Sequence, residues 1–147
     1  TAGSFRNLTK LPDVLAEGPN GNFDDSSAQA LFEAAWPFVR PRFDAERARV
    51  TDLVRQGLGT GRVVQRIHEA LRAAREGRVE AMLVAIDAHR WAALDGGEDT
   101  REARQPGDVD LVDVAAAECL LHGGRVHPVT AAEIPGDHSA VAAVLRF

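Results

Sequence analysis

Apolar positions along the chain recur with two different periods. Behind Ser26 or Ser27, either able to cap a helix, Leu31, Ala35 and Phe38 fall on helical spacing. Pro37 and Pro41 lie inside this run, which predicts a kink or an interruption. A cleaner helical run follows: Phe43, Val50, Val54 and Leu58 share one side, with Leu53 beside them and Arg47 snorkelling out of it. The stretch GLGTG, Gly57 to Gly61, predicts a helix C-cap and a hinge. From Arg62 to Glu76 the spacing predicts the best-defined helix, with Val63, Val64, Ile67, Ala70, Leu71 and Ala74 on one face and Arg62, Arg66, Glu69, Arg72 and Glu76 on the other. Gly77 suits its C-terminus.

The period then changes. Val79 to Ile86 is apolar on both alternating sets, which predicts a strand covered on both faces. Trp91 to Leu94 suits a second short strand, and Asp95 to Asp108 is polar enough for a long loop. Asp108 is placed to cap a helix over Val109–His122, with Asp110 near its positive end and Gly123-Gly124 stopping it. Arg125 to Thr130 predicts a strand whose Pro128 belongs on an edge, and Ala140 to Phe147 predicts a last strand after the turn AEIPGDHS. Helices followed by β, β, α, β, β predict an α/β fold: a three-layer α/β/α sandwich with a small mixed sheet, preceded by a helical and irregular N-terminal segment. Residues 1–27 are rich in glycine, proline and asparagine, and the chain begins at Thr1. The expected division is an irregular tail of a preceding domain over 1–27, a helical connector over 28–59 and the α/β/α domain over 60–147.

Composition narrows the function. Hydrophobic residues make up 45% of the 147, enough for a packed core. No apolar run approaches the roughly 20 residues of a membrane helix, so no membrane partner is expected. One cysteine, Cys119, cannot form an internal disulfide and suits a reducing cytoplasm. The net charge of -5 argues against a general nucleic-acid binder, yet it is unevenly spread. Residues 40–78 carry ten arginines against five acidic residues, a local excess of +5 against -10 elsewhere. Arg62, Arg66, Arg72 and Arg75 are therefore the candidate RNA or partner surface.

Candidate chemistry is thin. GLGTG is followed by Arg62 and Val63, not the Lys-Ser or Lys-Thr of a phosphate loop, and no strand precedes it as a dinucleotide fingerprint requires. The five histidines form no metal motif, so neither metal nor cofactor is expected. Cys119 and His122 lie three apart on a helix, but the alanine-rich apolar run around the cysteine reads as a buried structural thiol. Asp137-His138-Ser139 contains the residue types of a catalytic triad, but triads assemble in space and adjacent residues read as a turn. Asp87, His89 and Arg90, just past a buried strand, are where an α/β protein can keep a small active site.

Six stretches, GPNGNFD, AAWPFV, LGTGR, AAREGRVEAMLVA, DVDLVDVAAAECLLHGG and AAVLRF, lie in one order along most of the chain. In that order the chain resembles the C-terminal part of bacterial homologues of the archaeal and eukaryotic class-one peptide-chain release factors. The resemblance implies that residues from about Thr60 onward form the family's third domain, an α/β/α fold shared with kink-turn-binding ribosomal proteins and with Pelota. It implies a setting at the ribosome, in termination, rescue or stress. The Gly-Gly-Gln tripeptide that release factors use for hydrolysis is absent: Gly96-Gly97 is followed by Glu98 and Gly123-Gly124 by Arg125. In release factors this domain mainly contacts protein partners. A non-catalytic docking module, cytoplasmic, for a translation factor or the ribosome is therefore the first expectation. RNA bound by the arginine face, a weaker partner, and a small enzyme at Asp87, His89 and Arg90 are the alternatives.

Overall fold

A computed structural model describes residues 4, 7–12, 14–93, 99–136 and 139–147. Two compact units divide at Glu46/Arg47. Within the first, the described residues before Ser27 are mainly turns and irregular chain, and helix α1 (Ala28–Gly57) begins where Ser27 Oγ accepts from the Ala30 N–H at 3.2 Å. Pro37 and Pro41 do not interrupt α1. Spaced by about one turn, they leave their missing donors on one side of the helix. Phe32 stacks on Trp36 at 5.4 Å, and Trp36 packs against Phe43 at 5.9 Å, so one aromatic row spans both prolines.

The second unit is built on a mixed sheet of β1 (Val63–Val64), β2 (Val79–Ala85), β5 (Arg125–Val129) and β6 (Val141–Leu145), in the order β1-β6-β2-β5. Strand β6 runs antiparallel to both β1 and β2, and β5 runs parallel to β2. Between β2 and β5 the chain forms a separate pair, β3 (Trp91–Ala93) with β4 (Asp108–Asp110), and then helix α3 (Leu111–Leu121). Helix α2 (Ile67–Arg75) connects β1 to β2.

The strand apolar on both faces is central and buried, as its pattern predicts. Met82 and Val84, with Val141, Ala143 and Leu145 of β6, meet the helices through Leu71, Ala74, Val112 and Ala115. Ala81, Leu83 and Ala85, with Ala142 and Val144, meet Val50 and Val54 from the end of α1. This is the three-layer α/β/α architecture. Val79 joins Met82 on the first face although they are three residues apart. The register of β2 against β6 shifts between Val79 and Ala81, and the bulge moves the first residue across the sheet. Pro128 sits on β5, an edge strand, where a missing N–H is tolerated.

Several boundaries differ from the sequence pattern. Val63 and Val64 leave the expected helix and pair with Val144 and Ala143, because two β-branched residues satisfy the edge of β6 there. The helix starts at Ile67 and ends in a Schellman motif: Gly77, at φ 68°, donates to the Ala74 carbonyl at 3.0 Å, and Arg78 donates to that of Ala73 at 2.9 Å. The helix expected from Val109 starts at Leu111, since residues 108–110 are consumed by β4, and its cap is Asp110 instead of Asp108. Ile86, the expected end of β2, lies past the strand and is exposed.

Candidate functional site

After β2 the chain turns through Asp87–Arg90 into β3, the corner at which the sequence pattern placed its polar candidates. The structure sends them to different partners. Asp87 Oδ1 accepts from the Ala131 N–H at 2.7 Å and so anchors the 3-10 turn Ala131–Glu133. His89 Nδ1 lies 2.5 Å from Asp110 Oδ2. The Arg90 guanidinium donates to the neighbouring His89 carbonyl at 2.8 Å.

Asp110 is the centre of this corner. Its Oδ1 accepts from the Val112 N–H at 3.0 Å, capping α3, and from the Arg90 N–H at 3.1 Å. The carboxylate is buried, and a buried charge is tolerated only when its lone pairs are used. Three partners use them here. The His89 ring stacks on Trp91 at 5.4 Å, and the Arg104 guanidinium lies 5.3 Å from the Trp91 ring centre. Among the described residues no serine, threonine or cysteine hydrogen-bonds the His89–Asp110 pair. The sequence pattern named His89 but not its partner 21 residues away. Asp110 had a visible signal, an aspartate ahead of an apolar run, but Asp108 carries the same one.

Beside this corner lies a cleft of about 530 Å³, lined by residues 65–68 of the β1–α2 junction, by Arg90 and by residues 139–141. Its walls are tied together. Gln65 Nε2 donates to the Pro135 carbonyl at 2.7 Å, and Ser139 Oγ lies 2.6 Å from the Gln65 carbonyl and 2.7 Å from that of Val141. Asp137 and His138 of the Asp-His-Ser run lie outside the described residues, and the Ser139 hydroxyl is engaged by backbone.

The four candidate arginines do not share one helix. Arg62 precedes β1, and its carbonyl accepts from the Leu145 N–H at 2.9 Å. Arg66 is the N-cap of α2 and lies 3.8 Å from Glu69, and only Arg72 and Arg75 are within the helix. Arg75 Nε reaches Glu118 Oε1 of α3 at 3.3 Å. Arg72 is exposed and has no carboxylate partner among the described residues.

The other candidates are structural. Cys119 is buried, its Sγ 3.7 Å from the Arg125 carbonyl, and burial pushes its thiol pKa up, against the opposing charge of Arg146. His122 Nδ1 contacts the Glu118 carbonyl at 2.9 Å instead of the thiol. Gly123, at φ 76°, and Gly124 end α3, and a Cβ on Gly124 would stand 2.5 Å from Cys119 Sγ and 3.0 Å from the Val79 carbonyl. Gly96-Gly97 lies outside the described residues. Among the described residues no group of three or more His, Cys, Asp and Glu side chains could hold a metal, and no helix is long and apolar enough to cross a membrane.

The fold defined by this sheet and its helices is that of a release-factor C-terminal domain. It matches the C-terminal domain of the peptide chain release factor from Methanosarcina mazei with a TM-score of 0.59 at 16% identity, over 86% of this chain and 98% of that one. A model of ribosome-bound archaeal Pelota and ABCE1 matches at a TM-score of 0.49 and 20% identity, over 86% of this chain and 34% of that one. The model of bacterial archaeo-eukaryotic release factor family 3 matches residues 2–78, and the chain belongs to that family. No curated protein matches it.

Proposed function

We propose that this chain is the non-catalytic docking end of a release-factor-like protein, with residues 60–147 as the docking domain and the translation machinery as its setting. The observation that supports this reading is the fate of the charged candidates. Asp87, His89 and Asp110 are spent on holding the turn, β3 and α3 together. Arg75 lies beside Glu118, which lowers the attraction of the helix face for RNA. Family membership supplies the setting, and the partner is a protein of the translation apparatus, in the cytoplasm. Co-sedimentation with ribosomes through a sucrose cushion tests it. The expected result is pelleting that survives moderate salt. Absence of pelleting in extracts and with purified ribosomes overturns the reading. The chain is also expected to release no ester from charged initiator tRNA on programmed ribosomes, because the Gly123-Gly124 pair is built into a helix end. Release above buffer contradicts the non-catalytic part.

RNA bound through Arg62, Arg66, Arg72 and Arg75 is the second reading, favoured by the free charge of Arg72. It requires affinity that falls steeply with salt and disappears when Arg62, Arg66 and Arg72 are changed to Glu.

A further inference from the structure

We infer that the cleft beside α2 recognises an acidic side chain next to an apolar one on a segment of the protein partner. This rests on the docking reading and names the chemistry of the docked segment. Arg66 and Arg90 bring two full positive charges to one opening from separate parts of the chain, and His68 stands with them. Arg90 is half-buried and has no carboxylate partner among the described residues. Arg66 has only the loose 3.8 Å approach of Glu69. A guanidinium held in this way matches a carboxylate, which it can take through paired N–H donors.

The rest of the lining separates a peptide from a nucleic acid. Ile67, Ala140 and Val141 make part of the wall apolar, and among the described residues no phenylalanine, tyrosine or tryptophan lines the cleft to stack on a base. A volume of about 530 Å³ is ample for an acidic side chain with an apolar neighbour. A phosphate backbone also needs a track of cations along the strand. One carboxylate needs only the local pair, and its apolar neighbour gains from the apolar wall.

The test is an amide-resolved NMR titration of the whole chain with three probes: the capped peptide Leu-Glu-Leu-Glu, its Leu-Gln-Leu-Gln counterpart, and an oligouridylate RNA. The acidic peptide is expected to give saturable shifts confined to residues 65–68, 90 and 139–141. Its affinity should exceed that of the neutral peptide by about 10-fold, the usual worth of a hydrogen bond to a charged group. Arg90→Gln should remove that preference and Arg66→Gln should weaken it, with spectral dispersion showing each variant folded. Arg72→Gln, outside the cleft lining, should leave it unchanged. No saturable shifts, equal shifts from the neutral peptide, stronger shifts from the RNA, or an Arg72→Gln effect equal to that of Arg90→Gln would each overturn the assignment. Ribosome pelleting retained by Arg90→Gln while peptide recognition fails removes the cleft and leaves docking standing. Loss of pelleting by the unaltered chain removes docking itself.

Discussion

The two ends of α1 carry similar apolar spacing and meet different fates. Near its C-terminus Val50 and Val54 are fully buried against Ala81, Leu83, Ala142 and Val144. Nearer its N-terminus Phe32 is 54% and Phe43 58% exposed. The buried end is held by side-chain burial, each residue worth about 1.5–3 kcal/mol. The exposed end has the aromatic row and surface contacts such as Arg40–Asp44 at 3.4 Å and Gln29–Glu33 at 2.7 Å. Surface contacts of that kind are worth a few tenths of a kcal/mol each. Helical periodicity therefore states which face of a helix is apolar, not whether anything covers it.

Four measurements can break or sharpen this contrast. The largest effect is expected from Leu83→Ala, which empties the sheet face under the buried end of α1. It should cost about 2–5 kcal/mol in a denaturant melt, and a loss below roughly 1 kcal/mol would contradict central burial. Val54→Ala removes two methyl groups from the helix side of the same contact and should cost about 1–3 kcal/mol. Phe43→Ala should shift the same melt by less than about 0.5 kcal/mol, as a surface substitution does, so an effect matching that of Val54→Ala would erase the contrast. The smallest effect concerns the turn leading to Ile134, which packs in the same cluster. Glu133 accepts from the Thr130 N–H at 2.7 Å and from its hydroxyl at 2.9 Å, and these bonds hold its pKa below the ordinary glutamate value. A lowered folded-state pKa means the turn's contribution is present above that ordinary value and is lost as the pH falls through the folded one. Glu133→Gln should therefore flatten the acid limb of the stability profile. An unchanged slope would show that this capping box carries no linked proton.

Asp110 marks how far the candidate site was legible. The pattern singled out His89 because it follows a buried strand. It named Asp108 as the cap, although Asp110 stands two positions on ahead of the same apolar run. Only the pairing of β3 with β4 settles the choice, since it leaves Asp110 at the start of α3 and within reach of His89. The arginine face was legible as charge but not as geometry. Arg62 and Arg66 left the helix once Val63 and Val64 paired with β6, and Arg90, absent from that face, entered the cleft beside Arg66.

By itself the sequence determined the elements in which local preference and burial agree. Strand β2 is apolar on both alternating sets and is covered on both faces. Gly77 and Gly123 stop α2 and α3, and Pro128 lies on an edge strand. Tertiary structure alone decided that Val63 and Val64 are strand, that a bulge carries Val79 across the sheet, and which apolar surfaces of α1 are covered. The reason is range. Helical and strand periods, caps and turn glycines act over a few residues and are written there. The pairing of residues 63–64 with 143–144 is settled by hydrogen bonds and burial supplied from the far end of the chain.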